Sequence, residues 1–384
     1  MRIGYVNPEY GARRNIIGRC PNVEYVRVRS FKSLGDKIKG KLGLLQPNTL
    51  QPYFFNGGIA EGLKRVDLFH FWNSIALSPC CKPYITSFEA EVPRKFPEGG
   101  LMSRGIDSLM SNQCRKLIAF SHYAMKGESA FAKAHGFDEI CKKITVLLPP
   151  QTALVEEDDI SLKATKLGGG GGGQLSSVKL MFCGKDFFRK GGSEIVRALM
   201  RVRKDFDVEA YLIGDYDHVD YASSWVVDNA EEMRKLIAEN SDWLHCYNSM
   251  PNNEMLELSK TCHIGLLPTR DDTFGYSVLE FQACGLPCIT TDICSLPEVN
   301  NDEIGWLLKV PKKSNGSADF STVEKMRELS QVIECGIETI LREALSKPEK
   351  IFLKGLKSLQ NIQSNHTPEK YGLRLGMIYK EALN

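Results

Sequence analysis

At 384 residues the chain is too long for one compact core, and its length predicts two domains of ordinary size. A hydrophobic content of 42% beside 25% charged residues marks a globular protein and excludes a disordered one. The formal net charge of +2 gives no reason to expect nucleic-acid binding, and no window is apolar for long enough to span a bilayer.

In chain order, "MRIGYVNPEYG" enters a strand pattern at once, without a signal-peptide apolar region, which predicts a cytoplasmic protein. Candidate strands in the first half are 2–6, 23–31, 66–72, 83–89, 116–121 and 144–149. In the second half they are 178–184, 208–215, 243–248, 263–269, 286–292 and 304–308. These runs are continuously rich in Val, Ile and Leu, as parallel strands covered on both faces are. Helical periods at 192–206, 229–241, 252–260 and 276–284 separate the later strands, so the order predicts two doubly wound α/β units. Between the halves, 151–177 carries an acidic cluster and six consecutive glycines, Gly168 to Gly173, and reads as a flexible linker. The expected domains are therefore 1–150 and 178–345. A helical tail, 346–384, has stops near Lys347-Pro348 and Thr367-Pro368 and is expected to cross back to the first domain.

The twelve cysteines form no C-x-x-C pair, and several lie inside apolar runs, so they read as reduced structural thiols. No G-x-G-x-x-G follows a candidate strand, which argues against a nicotinamide dehydrogenase.

Two motifs carry chemistry. "MFCGKDFFRKGG" (181–192) sets Lys185 and Lys190 between a strand and a helix. "PTRDDTFGYSVLEFQACGLP" (268–287) sets Asp272, a Phe274-Gly275 turn and Glu280 at the start of another helix. Cations on one side and helix N-terminal amides of Gly275, Tyr276 and Ser277 on the other form a two-sided phosphate clamp. Ser277 reads as the cap of that helix, and Glu280 as a carboxylate able to accept hydrogen bonds from sugar hydroxyls. Together they read as a nucleotide-sugar site.

These residues resemble the C-terminal domain of the large retaining GT-B glycosyltransferase family that includes bacterial mannosyl- and glucosyltransferases. Its Gly-Arg, Lys-Gly, acid-x-Phe-Gly-x4-Glu and Ala-x-Gly-x-Pro elements match Gly184-Lys185, Lys190-Gly191, Asp272 to Glu280 and Ala283 to Pro287. The match covers about 178–310. It implies two Rossmann-like doubly wound domains facing a cleft, with domain closure over the hinge to exclude water. It also implies retention at the anomeric carbon, with the departing phosphate helping to deprotonate the acceptor. By resemblance, Gly184, Lys185, Lys190, Phe274, Gly275, Tyr276 and Ser277 hold the donor diphosphate, Glu280 the ribose, and Asp272 the transferred sugar. Lys185 stands where the family has Arg, which loses a bidentate fork, and Asp272 where Glu is commoner, which shortens the reach. The triplet Asp215-Tyr216-Asp217 copies the metal-binding signature of the other glycosyltransferase architecture. No further carboxylate cluster supports it, so the expected chemistry uses neither metal nor cofactor.

The resemblance places the acceptor side in the first half, in the loop Asn7 to Gly11 and at strand ends. Candidates are Gly11, His70, Asn73, Glu89, Glu91, Arg94 and Ser121-His122. His70 reads equally as a satisfied core histidine, while Glu89, just past an apolar strand, is costly to leave unpaired and joins Asp272, Lys185 and Lys190 as a catalytic candidate. The basic run of Arg13, Arg14, Arg19, Arg27, Arg29, Lys32, Lys37, Lys39 and Lys41 reads as a solvated face or as a surface for anionic lipid or a pyrophosphate-linked acceptor. The expected activity is metal-independent transfer of a hexose from a nucleotide diphosphate sugar to a glycan or lipid-linked acceptor, as in polysaccharide biosynthesis. The alternatives are a non-catalytic nucleotide-sugar-binding scaffold and a sugar-nucleotide epimerase.

Overall fold

The computed structural model describes residues 1–6, 9–28, 66–76, 82–92, 100–167, 177–216, 222 and 230–384. They form two units: Met1–Pro150 with His366–Asn384, and Gln151–Asn365. Asn7, Arg94, Asp217, the Gly168–Gly173 tract and the basic residues from Arg29 to Lys41 lie outside the described residues.

The first unit is built on β1 (Arg2–Tyr5), β2 (Glu24–Arg27), β3 (Leu68–Trp72), β4 (Tyr84–Phe88), β5 (Cys114–Ala119) and β6 (Ile144–Val146). Their order in the sheet is β2-β1-β3-β4-β5-β6, all pairings parallel. Helices α1 (Tyr10–Asn15), α2 (Gly100–Met110), α3 (His122–Ala134) and α4 (Asp138–Lys143) lie between the strands in sequence. β4 is buried at every position, which is why its sequence shows no polar alternation. Phe69, Phe71, Tyr84, Phe88, Leu109 and Leu117 meet in one core, each contributing about 1.5–3 kcal/mol of burial.

The second unit opens with α5 (Glu157–Leu167) and continues with β7 (Val178–Asp186), α6 (Gly192–Val202), β8 (Val208–Asp215), α7 (Ala230–Glu239) and β9 (Leu244–Tyr247). It then runs through α8 (Asn252–Thr261), β10 (Ile264–Leu267), α9 (Tyr276–Ala283), β11 (Cys288–Thr291), α10 (Leu296–Val299) and β12 (Trp306–Leu308), and closes with α11 (Val323–Ser346) and α12 (Glu349–Asn365). The sheet order is β12-β11-β10-β7-β8-β9, again all parallel. From β7 the chain winds outwards through β8 and β9; from β10 it winds the other way through β11 and β12. The β7/β10 boundary is therefore the switch point, where loops leave the strand ends in opposite directions and open a crevice.

The linker expected over 151–177 is corrected for its described part. Residues 151–167 belong to the second unit: Val155 and Ile160 pack on Leu359, Phe352 and Leu356, and Lys163 Nζ donates to the carbonyls of Cys262 (3.1 Å) and Cys284 (3.4 Å). An acidic helix with a narrow apolar stripe hides easily beside a glycine tract. The boundary expected at residue 346 also moves, because α12 stays with the second unit and the return begins at His366. Thr367 caps α13 (Pro368–Leu383), which docks on the first unit through a Tyr371 hydroxyl bond to Asn15 O (2.8 Å) and a Lys116–Glu381 ion pair (3.3 Å).

Described cysteines are free, and burial pushes the thiols of Cys183, Cys262 and Cys284 up to about 12, as structural thiols require.

Candidate functional site

Two loops flank the switch point of the second sheet, one from β7 to α6 and one from β10 to α9. The backbone itself ties them: Arg270 N donates to Arg189 O at 2.9 Å, and Arg189 Nη1 donates to Asp271 O at 2.9 Å. Thr269 Oγ1 reaches Asp271 O at 2.7 Å, and Thr291 Oγ1 fixes Thr269 O at 2.6 Å. Beneath them lies a fully buried ion pair. The Arg270 guanidinium donates to Glu194 of α6 and to Phe188 O, while Ser193 (2.9 Å) and Ser330 of α11 donate to the same carboxylate. A second pair, Arg189–Asp186, stands at the rim.

This bracing delivers Lys190 to Asp272. Lys190 Nζ sits 2.7 Å from Asp272 Oδ2 and 3.3 Å from Asp271 O, and the side chains are only 12% and 13% exposed. Asp272 Oδ1 accepts from Phe274 N (3.2 Å) and Gly275 N (3.1 Å). Burial pushes the Asp272 carboxyl up, but the Lys190 charge and its hydrogen bonds outweigh that and hold it below its ordinary value. Gly184 makes room: a Cβ there would lie 2.7 Å from Lys190 Cγ, so only glycine lets the lysine stem cross the strand end. Lys185 falls within β7 rather than in a loop, because the strand continues past a register shift to Asp186, and its side chain is exposed.

Gly275, at φ +89°, is the N-cap of α9 and makes no side-chain cap bond. Ser277 is therefore not the cap; it is the second residue of the helix. The expected anion-facing set also loses one member, since Gly275 N–H is donated to Asp272. Phe274 is a core residue, buried completely with its ring 5.1 Å from that of Tyr276. Glu280 is buried on α9 and close enough to Cys183, near the end of β7, for its charge to help raise that thiol.

In the first unit the candidates divide. Gly11 lies inside α1, not in a loop: a Cβ would fall 2.1 Å from Trp72 Cε2, so the glycine seats the helix on the indole. His70 is a satisfied core residue. Its Nδ1 bonds the Tyr379 hydroxyl (2.9 Å), its Nε2 bonds Ser87 Oγ (2.7 Å), and burial pushes its pKa down to about 3. Asn73 takes φ +47° and its Oδ1 accepts from Glu89 N at 3.3 Å, which brings Asn73 and Glu89 together, both buried, beyond β3 and β4. Ser121 is the N-cap of α3, accepting from Ala124 N at 3.0 Å.

Sequence reasoning passed over Arg189, Arg270, Glu194 and Glu128. Glu128 of α3 is buried, accepts from Val92 N at 3.1 Å through Oε2, and leaves Oε1 without a partner among the described residues. Burial, with Glu91 adding to it, pushes its carboxyl up to about 7. No local signal marks the pairing of Arg270 with Glu194 or of Glu128 with Val92 N, because these partners lie 76 and 36 residues apart.

Among the described residues no cluster of His, Cys, Asp and Glu gathers as a metal site, and no helix is long and apolar enough to cross a membrane. Residues 175–334 match the family described as glycosyl transferases group 1. Among solved structures, a glycosyltransferase from Rickettsia africae ESF-5 aligns over 100% of this chain and 98% of its own, with a TM-score of 0.61 at 14% identity. HepE of Anabaena, solved in complex with UDP, aligns over 99% and 100% with a TM-score of 0.61 at 13% identity. A sucrose-phosphate synthase from Thermosynechococcus elongatus aligns over 99% and 98% with a TM-score of 0.58 at 13% identity. None of the curated proteins matches by sequence. With two six-stranded parallel sheets in place and the family match lying on the loops just described, residues 175–334 are similar to the glycosyl transferases group 1 family, and the chain has the GT-B fold.

Proposed function

We propose that the chain moves a hexosyl group from a nucleoside diphosphate sugar to a glycan or lipid-linked acceptor, with retention and without a metal. The observation that carries this reading is the meeting of Lys190, Asp272 and the N-terminus of α9 at the switch point of the second sheet. Lys185, Lys190 and the first turn of α9 at Tyr276 and Ser277 stabilise the charge that grows on the departing diphosphate, the largest contribution such a site can make. Glu280 takes the ribose, and Asn73 with Glu89 offers hydrogen-bonding groups to the acceptor. HepE, solved with UDP and with UDP-glucose, makes uridine donors the first to try. The protein acts in the cytoplasm, with peripheral contact to anionic lipid as the further reading of its basic run.

A thermal-shift panel of nucleoside diphosphates and their sugar conjugates tests the site through binding linkage. One member should stabilise the protein, and Lys190→Ala or Glu280→Ala should abolish the shift. A shift unchanged in both variants refutes the assignment. Turnover of the binding donor with a glycan or lipid-linked acceptor separates the enzyme from a scaffold.

A further inference from the structure

We infer that Ser295, at the entry to α10, is a positioning residue of the donor site: its hydroxyl holds the Thr273 carbonyl and so fixes the turn from which α9 starts. This rests on reading the site as one for nucleotide sugars.

A serine at the N-cap of a helix ordinarily accepts from amides of that helix's own first turn. Ser295 occupies the N-cap of α10 and makes no such bond. Its side chain is buried, and its hydroxyl donates instead to Thr273 O at 2.9 Å, in the loop from β10 to α9. The same peptide unit is held at its other end, where Phe274 N donates to Asp272 Oδ1 at 3.2 Å. A planar peptide pinned through both its carbonyl and its N–H cannot rotate without breaking one of the two bonds. The bond to Asp272 is local to the turn. The bond from Ser295 comes from the loop of the neighbouring strand and ties the turn to a separate support.

That support is anchored in its own right. Asp292 accepts from Val310 N (3.1 Å) through Oδ1 and from Lys312 Nζ (2.7 Å) through Oδ2. Cys294, at φ +49°, donates its N–H to Gly316 O at 2.9 Å. From this base the chain meets the β10–α9 loop at three places: Thr291 Oγ1 on Thr269 O, Ser295 on Thr273 O, and Leu296 against Gly275, where a Cβ would fall 2.6 Å from Leu296 Cδ2. The turn so backed carries Asp272, the partner of Lys190, and leads straight into Tyr276 and Ser277. Ser295 touches no ligand; it sets the direction of groups that do, and such preorganisation is expressed in affinity.

Two measurements on the full chain test this, and one needs no ligand. Ser295→Ala removes the hydroxyl. Ser358→Ala, in α12, removes an equally buried one that donates to Ile304 O at 2.6 Å, and is the control. Each should lower the melting temperature by a few degrees. Ser295→Cys, which fills the same space with a weak donor, stands in if the alanine variant does not fold. In hydrogen exchange of the ligand-free protein, the amides of Phe274 and Gly275 should exchange at least about threefold faster in Ser295→Ala and at the wild-type rate in Ser358→Ala. Titration calorimetry with UDP and UDP-glucose, or with GDP, ADP and their glucose conjugates if the wild type prefers them, should show binding about fivefold weaker in Ser295→Ala and unchanged in Ser358→Ala. Wild-type affinity or wild-type exchange in Ser295→Ala overturns the inference alone, and so does a Ser358→Ala variant that weakens binding as much. A folded wild type that binds none of the six probes overturns the nucleotide-sugar reading, and the donor role of Ser295 with it.

Discussion

The Arg270–Glu194 pair offers the sharpest test of how the site is held. Both side chains are wholly inaccessible, and the guanidinium and carboxylate also bond Phe188 O, Ser193 and Ser330. Arg270→Met strands an anion among groups that donate to it, and Glu194→Met strands a cation. Leaving one member of a buried pair uncompensated costs about 3–5 kcal/mol. For a unit of this size, that lowers the melting temperature by roughly 6–20 °C. The double variant leaves no stranded charge; only a few hydrogen-bond groups lose partners, at about 1–3 kcal/mol. Urea denaturation of wild type, both single variants and the double closes the cycle. The double should be less destabilised than either single. A double variant as unstable as the sum of the singles would show that the two residues contribute independently, and the bracing described here would be wrong.

Other expectations follow from the titrating core of the first unit and from Gly184. His70 is held neutral, with its pKa lowered from 6.5 to about 3, so the unfolded chain binds the extra proton: stability is complete above pH 6.5 and falls towards pH 3, by at most about 1.4 kcal/mol per pH unit. His70→Asn should flatten that slope in urea midpoints measured from pH 7 to pH 5. Glu128 works in the opposite sense, its carboxyl raised from 4.5 to about 7, so the native state holds the proton and stability falls as pH rises between those values. Glu128→Gln should raise the urea midpoint at pH 8 relative to wild type and change it little at pH 4; equal effects at both would refute the assignment. Gly184→Ala, whose Cβ would press on Lys190 Cγ, should weaken nucleotide binding about tenfold by calorimetry while the melting temperature moves by only a few degrees. Unchanged affinity would mean that Lys190 does not need that path.

The strands were legible because parallel strands covered on both faces are continuous apolar runs, and each of the twelve appears within a few residues of its expected place. The donor-side motifs were legible for a related reason: glycine at a strand end and at a helix entry leaves a mark that spacing alone can read. Arg270 left none. Between Pro268-Thr269 and Asp271 it looks like one more polar loop residue, and its burial depends on Glu194 and Ser330, which lie 76 and 60 residues away. His70 stays ambiguous for the converse reason: the sequence allows a core or an acceptor-side histidine, and only Tyr379, 309 residues on, by occupying a ring nitrogen, decides for the core. Local pattern finds residues that shape the backbone. It does not find side chains satisfied from a distance.

The charges of the donor loops show how such a site can bind a dianion. Arg189 pairs with Asp186, Lys190 with Asp272, and Arg270 with Glu194, so three of the four cations in these loops and their base already have an acid of their own. On the proposed function, attraction for a diphosphate therefore does not come from surplus positive charge, which would also draw any passing polyanion. It comes from orientation: a lysine aimed by its carboxylate, a helix N-terminus held by the same carboxylate, and Lys185 exposed at the strand end. Preorganised groups of this kind lose little on binding and need not move when charge develops on the leaving group. The buried Arg270–Glu194 pair costs desolvation energy and sits where no ligand can touch it. Its place directly beneath both loops accounts for that cost, because the aim of Lys190 is only as steady as the base it rests on.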